Sequence, residues 1–333
     1  MNYRKSEAKE ASLAQFRGLW AAITTPFTAD YALDEAGIRH NMRHLTEGLH
    51  IEGVFCNGVN GEFWALTKEE RKRIVEIVVE EAKRGGCKVI AHTGHHSAHE
   101  TVELTRHAEQ AGADFAIVIN PYFPPMSEDT IYDWFKFVAD RVNIGIWMWD
   151  ALYSPYNFSP ELTARIAGIE NVCGLKVSRN VNSLEHYEKV KKLCGDKIVI
   201  SEPIESRWLQ MMRDYGQRVL NSVPVPYLFQ TPSWLPVREY TELGLQGRFD
   251  EAAAISKTLD PLREAQKRWM LSKWTNEKTL AIAYIKAWSE MLGMAGGPVR
   301  PGLPQITAEE RRAMRADVEK TGLLARVPAA KAA

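Results

Sequence analysis

One lysine, Lys176, stands inside the apolar run CGLKVS at residues 173 to 178. Burial penalises the charged form of an amine, lowers its pKa and leaves neutral nucleophile able to attack a carbonyl, which is Schiff-base chemistry. The residue also admits a plain reading, in which its aliphatic stem runs along apolar surface and its ammonium pairs with Glu202 or Asp150. A second stretch, NGVNGEFWALTKEER at 57 to 71, brackets a tight turn with Gly58 and Gly61. Successive N–H groups in such a turn can point at one spot and hold a carboxylate. Glu62 in that turn suits a base or, as is more common, a side chain that holds loop backbone.

These residues need elements to position them. From residue 18 to 225, short apolar runs alternate with longer helical patterns: LWAAITTP (19 to 26), GVFCNG (53 to 58), KVIAHTG (88 to 94), FAIVINP (115 to 121), IGIWMWD (144 to 150), CGLKVS (173 to 178), KIVISE (197 to 202) and RVLNS (218 to 222). Helix starts lie between them, with Thr67 and Glu70 as a capping box, Ser97 as an N-cap, and Ser159-Pro160-Glu161 as N-cap, first-turn proline and acid. Gly112 and Gly216 stand where helices should end. Strand and helix repeat without antiparallel alternation, which predicts parallel βαβ units. Eight of them match a closed (β/α)8 TIM barrel of the α/β class. An open doubly wound sheet is the weaker alternative, because no GxGxxG follows the first strand. Beyond residue 225 the pattern is helical only, with a last helix starting near Thr307. The expected organisation is a polar arm over 1–17, the barrel over 18–245, a helical extension over 246–325 and a tail over 326–333.

Composition narrows the function. The 42 basic and 42 acidic residues cancel and form no long block, which argues against nucleic acid or anionic lipid as partner and leaves a small molecule. No apolar run reaches the roughly 18 to 20 residues that cross a bilayer, and MNYRKSEAKEASLAQF lacks the apolar core of a secretory signal. Cys56, Cys87, Cys173 and Cys194 form no CxxC pair, which predicts buried free thiols, a reducing cytoplasm and no zinc site.

In such a barrel the reacting groups sit at the C-terminal ends of the strands and in the loops that follow. Those ends carry Thr24 and Thr25, the 57–62 turn, His92, His95 and His96, Asn120, Tyr122 and Phe123, Trp147 to Asp150 with Tyr153, Lys176 and Ser178, Ser201 and Glu202, and Asn221 and Ser222. Lys176 is the single lysine among them. His92 reads as a hydrogen-bonded barrel residue, and the neighbours His95 and His96 alternate faces, which disfavours a three-histidine metal site.

Five stretches, AAITTPFTADYALD, GVNGEFWALTKEER, HAEQAGADFAIVINPYF, SPELTARIAGIENVCGLKVS and GGPVRPGLP, occur over residues 18 to 305 in an order that resembles the dihydrodipicolinate synthase and N-acetylneuraminate lyase superfamily. The resemblance implies a TIM barrel with a C-terminal helical extension, a homotetramer, and no metal or cofactor. It implies Lys176 as the Schiff-base lysine that attacks the keto carbon of pyruvate or a larger 2-oxo acid, and Gly58, Val59, Asn60 and Gly61 as the loop that binds its carboxylate. Thr25, Phe123, Met148, Trp149, Glu202 and Asn221 are then expected around the substrate.

The departures bear on the reaction. A gapless count back from Lys176 puts Met148 where most members carry a proton-relaying tyrosine, and Phe123 replaces a second relaying tyrosine of the lysine-pathway enzymes. The synthases' product-binding arginine is replaced near Tyr153. Tyr153, Asp150 and Tyr122 are the remaining candidates for acid–base work, Asp150 if apolar tryptophan surroundings raise its pKa. The aromatic residues suggest a bulky or flat partner, as in the superfamily's hydratase-aldolases. The expected activity is therefore a cytoplasmic lyase or aldolase that makes or breaks a C–C bond beside a 2-oxo acid. The alternatives are a hydratase, dehydratase or decarboxylase using the same imine, and a keto-acid-binding paralogue without turnover.

Overall fold

The computed structural model describes residues 2–123, 126–151, 154, 158–177 and 184–328. Eight strands, β1 (Gly18–Ala22), β2 (Gly53–Cys56), β3 (Lys88–His92), β4 (Phe115–Ile119), β5 (Gly145–Asp150), β6 (Val172–Val177), β7 (Val199–Ser201) and β8 (Val219–Val223), form one sheet in the order β7-β6-β5-β4-β3-β2-β1-β8. Their pairings among the described residues are all parallel. Helices alternate with the strands and more helices follow β8. This is a TIM barrel with C-terminal helices. Its interior and the layer between sheet and helices are both apolar, which is why each strand reads as a continuous hydrophobic run.

Among the described residues the seam between β7 and β8 carries no backbone ladder, and side chains close it. Ser201 Oγ donates to Val219 O (3.2 Å) and accepts from Asn221 N (3.3 Å). The Gln217 amide donates to Glu202 O (3.0 Å) and Val219 O (2.8 Å) and accepts from Glu202 N (2.9 Å). A primary amide offers the same donor and acceptor as a peptide group, so Gln217 substitutes for a missing strand residue.

Two tryptophans fill the lower barrel, each lying over a glycine on the next strand. Trp20 pairs in register with Gly53, and Trp147 with Gly174. A Cβ on either glycine would run into the neighbouring indole. The segment expected to be a polar arm is instead helical over Ala8–Gln15 and caps the barrel from below. Phe16, at its end, stacks on Trp20 (3.9 Å between ring centroids) and tilts against Trp147 (4.1 Å). Ser12 accepts a hydrogen bond from Trp147 Nε1 (3.1 Å). Its charged residues had hidden one buried face, formed by Ala8, Ser12 and Phe16.

The helix signals have structural counterparts. Thr67 and Glu70 form a capping box, Ser97 and Ser159 cap their helices, and Gly112 and Gly216 end theirs in the left-handed region. The helical stretch from Arg248 to Met270 breaks after Lys257 and restarts at Asp260, because Pro261 has no N–H to continue the ladder. All four cysteines are buried free thiols.

Gly174→Ala is expected to cost about 1–3 kcal/mol, the usual penalty for overpacking a filled core. Urea denaturation checks this, with an unchanged midpoint counting against the packing described.

Candidate active site

The face that Lys176 presents is decided by one residue. Along β5 and β6 the register pairs Ile146 with Val172 but Trp147 with Gly174, so Cys173 is an extra residue, a β-bulge. Side chains alternate faces along a strand, and an extra residue reverses the alternation beyond it. Val172, Leu175 and Val177 pack outward with the helices, whereas Cys173 joins the interior cluster and Gly174 lies under the Trp147 indole. Lys176 therefore points inward, in register with Trp149 on one side and Ser201 on the other. Without the bulge it would face the helix layer.

Lys176 is 6% exposed. Its Nζ lies 5.0 Å from the Trp149 ring centroid and 5.3 Å from that of Phe55. The ring faces favour the ammonium, but burial wins and brings the amine from 10.5 down to about 7. A substantial neutral fraction at physiological pH follows.

The 57–62 turn borders the same Phe55 ring, since a Cβ on Gly58 would meet its edge. Asn57 and Glu62 adopt left-handed backbone at φ 55° and 56°, a cost that surrounding contacts must hold in place. Asn57 Nδ2 donates to Arg71 O (2.8 Å), and Thr25 Oγ1 donates to Gly61 O (2.9 Å). Asn60 Nδ2 donates to Ala22 O (3.2 Å), which also accepts from Tyr227 Oη (2.8 Å). Inside the turn, Gly61 N and Phe63 N donate to Gly58 O, and Glu62 N donates to Val59 O. The Val59 and Asn60 N–H groups have no acceptor among the described residues, so the turn presents two adjacent donors as an anion nest would.

Glu62 serves the loop. Fully buried, it pairs with Lys286 Nζ (2.6 Å) and accepts from Arg300 N (2.9 Å). Lys286 lies on the buried helix Ile282–Met291 and also donates to Pro298 O (2.8 Å). The GGPVRPGLP stretch and the C-terminal helices thus reach the site through one buried ion pair. The sequence reading missed Lys286, although a lone lysine within LAIAYIKAW was the available signal.

The other expected residues divide by strand face. Trp149 and Asn221 face the interior. Met148, one residue from Trp149, packs outward in the helix-facing core, so the gapless count from Lys176 ignored the bulge. Asp150 shares that outer face with Val177, and its Oδ2 lies 3.6 Å from His186 Nε2. Glu202 lies near Arg207 (3.5 Å) and accepts from Ile204 N (3.0 Å), and burial raises its carboxyl to about 7. Phe123 is 72% exposed. Tyr122 is partly buried on the rim, its ring 3.9 Å from that of His96. Tyr153, with Ser178, lies outside the described residues. Among the described residues no three metal-ligating side chains gather.

The model of the dihydrodipicolinate synthetase family matches residues 15–321. A 4-hydroxy-tetrahydrodipicolinate synthase of Methanothrix thermoacetophila is 31% identical over 302 residues, covering 90% of this chain and 95% of that protein. A "probable 5-dehydro-4-deoxyglucarate dehydratase" of Bradyrhizobium diazoefficiens is also 31% identical, over 313 residues and 91% of each chain. Dihydrodipicolinate synthase from Aquifex aeolicus superposes with a TM-score of 0.79 at 27% identity, covering 92% of this chain and 99% of that one. A prophage protein of the same family from E. coli K12, solved in complex with pyruvate, gives 0.80 at 23% identity, with 92% and 99% covered.

Lys286→Met should leave the Glu62 carboxylate buried and uncompensated, at a cost of about 3–5 kcal/mol. Adding Glu62→Leu should recover much of that loss in urea denaturation. A single variant as stable as the parent would contradict the pairing.

Proposed function

The chain belongs to the dihydrodipicolinate synthetase family, and from this we propose that it is a lyase of the Schiff-base aldolase type acting on a small 2-oxo acid. The observation that carries the reading is the interior Lys176 amine beside the Phe55 ring, which also borders a turn with two open N–H donors. In this reading the nest holds the substrate carboxylate and Lys176 attacks the adjacent keto carbon. Water leaves and the imine nitrogen takes up one proton, and the resulting iminium draws electrons from the C3–C4 bond. The homotetramer implied by the resemblance belongs to the same reading.

Dihydrodipicolinate synthesis itself fits poorly, because the β5 residue in register with Lys176 is Trp149, which has no phenol to relay a proton. Trp149 and Phe55 instead offer two aromatic faces, which favours a bulky or flat partner for the 2-oxo acid. A second reading, dehydration through the same imine, is favoured by the resemblance to the Bradyrhizobium dehydratase.

Borohydride added with pyruvate should fix a reduced adduct on Lys176, located by peptide mass spectrometry, and Lys176→Ala should abolish it. The attacking amine must be neutral, so the rate of adduct formation should rise as pH passes through about 7 and then level off. No adduct with any of a broad panel of 2-oxo acids would overturn the proposal.

A further inference from the structure

Imine chemistry needs a group that takes and returns a substrate proton. Besides Lys176, the described titratable groups packed on the interior are Cys173, Tyr3, Tyr122 and His92, of which Tyr3 lies at the floor, stacked on Phe115 and donating to Asp114 O. Cys173 occupies the bulge below Lys176, its Sγ 3.5 Å from Ile146 O, and Tyr122 sits on the rim. His92 is differently placed. It follows Ile90 on the inner face of β3, with its imidazole edge-on to Trp149 (5.2 Å, 88°) and to Phe55 (6.4 Å), the two rings that Lys176 also approaches.

Its two nitrogens have distinct roles. His92 Nδ1 lies 2.9 Å from Asn57 O. A carbonyl oxygen only accepts, so Nδ1 carries the hydrogen and Nε2 bears the lone pair. Nε2 is buried without a hydrogen-bond partner among the described residues. A Cβ added to Gly94, two residues beyond the end of β3, would lie 2.8 Å from it. Arg71 fixes the end of β3 by donating to His92 O (2.8 Å) and Gly94 O (3.0 Å). A buried acceptor with no donor carries a desolvation cost that an arriving O–H would offset.

We propose that His92 Nε2 accepts the hydroxyl proton of a 4-hydroxy-2-oxo acid, held as an imine on Lys176, while the C3–C4 bond breaks. This rests on the lysine-imine reading above. The O–H electron pair becomes the second bond of the departing aldehyde carbonyl. The C3–C4 pair forms the enamine and neutralises the iminium nitrogen, and the proton resides on Nε2 until it returns to C3 or to the aldol oxygen in condensation. Burial, Arg71 and Lys176 hold His92 well below the usual histidine range, so at neutral pH the ring is uncharged and its Nε2 lone pair is open to accept a proton. Dehydration would require an acid at this point to release the hydroxyl as water, so the arrangement selects C–C cleavage.

The test uses pyruvate as the trapping probe, and the aldols of pyruvate with benzaldehyde and with a short aliphatic aldehyde as substrates. His92→Gln, His92→Ala and Gly94→Ala should trap pyruvate with borohydride as the parent does, showing a folded site with an intact imine. They should release aldehyde about 100-fold more slowly or worse, the usual scale for a lost acid–base group, with imidazole partly restoring His92→Ala. Aldehyde release within threefold of the parent in the His92 variants would overturn the assignment, as would dehydrated product from the parent. A parent that traps neither pyruvate nor any other 2-oxo acid of the panel would overturn the imine reading itself.

Discussion

The inward face of Lys176 depends on the Cys173 bulge, and the bulge is held by the close approach of Trp147 to Gly174. An indole cannot lie over a residue with a side chain, so Gly174 fixes where the extra residue is absorbed. Once it is absorbed, every side chain beyond it changes face. Lys176 then enters an interior whose floor is sealed by Phe16, Trp20 and Trp147. The N-terminal helix thus contributes to the chemistry indirectly, by helping to exclude water beneath an amine whose burial lowers its pKa.

The opposite wall is held by charge. The turn at 57–62 contains two non-glycine residues in left-handed backbone, and Glu62, one of them, is fastened by a buried ion pair to a helix more than 200 residues away in sequence. Buried pairs are weak evidence for stability but good evidence for geometry, since breaking one leaves an uncompensated charge. The C-terminal helices therefore do more than cover the barrel. They pin the turn that carries the open Val59 and Asn60 N–H groups and borders the Phe55 ring beside Lys176.

Much of this was legible in the sequence. The strand runs, the helix caps, Lys176 and the glycine turn follow from patterns of burial and spacing that chain chemistry imposes locally. What the sequence hid was parity. A list of strand ends cannot tell which neighbour faces the axis, and the bulge at Cys173 defeats counting across it. Met148, Asp150 and Glu202 consequently looked like site residues, while their neighbours Trp149 and Ser201 face inward. The arm hid a single buried face behind its charges, and the Glu62 partner Lys286 required tertiary contact to identify. His92 looked like a hydrogen-bonded barrel residue, and one of its nitrogens is bonded in that way. The other, Nε2, carries the proposed role and has no hydrogen-bond partner among the described residues.

The central claim is that the fold turns Lys176 into a dry interior where its amine is half neutral near physiological pH. The most direct test is the pH dependence of its labelling by a small amine-reactive reagent, followed by peptide mass spectrometry and referenced to exposed lysines in the same chain. The account predicts that Lys176 labelling reaches half its maximal rate at pH of about 7. A midpoint matching the exposed lysines, near the ordinary value of about 10.4, would contradict it.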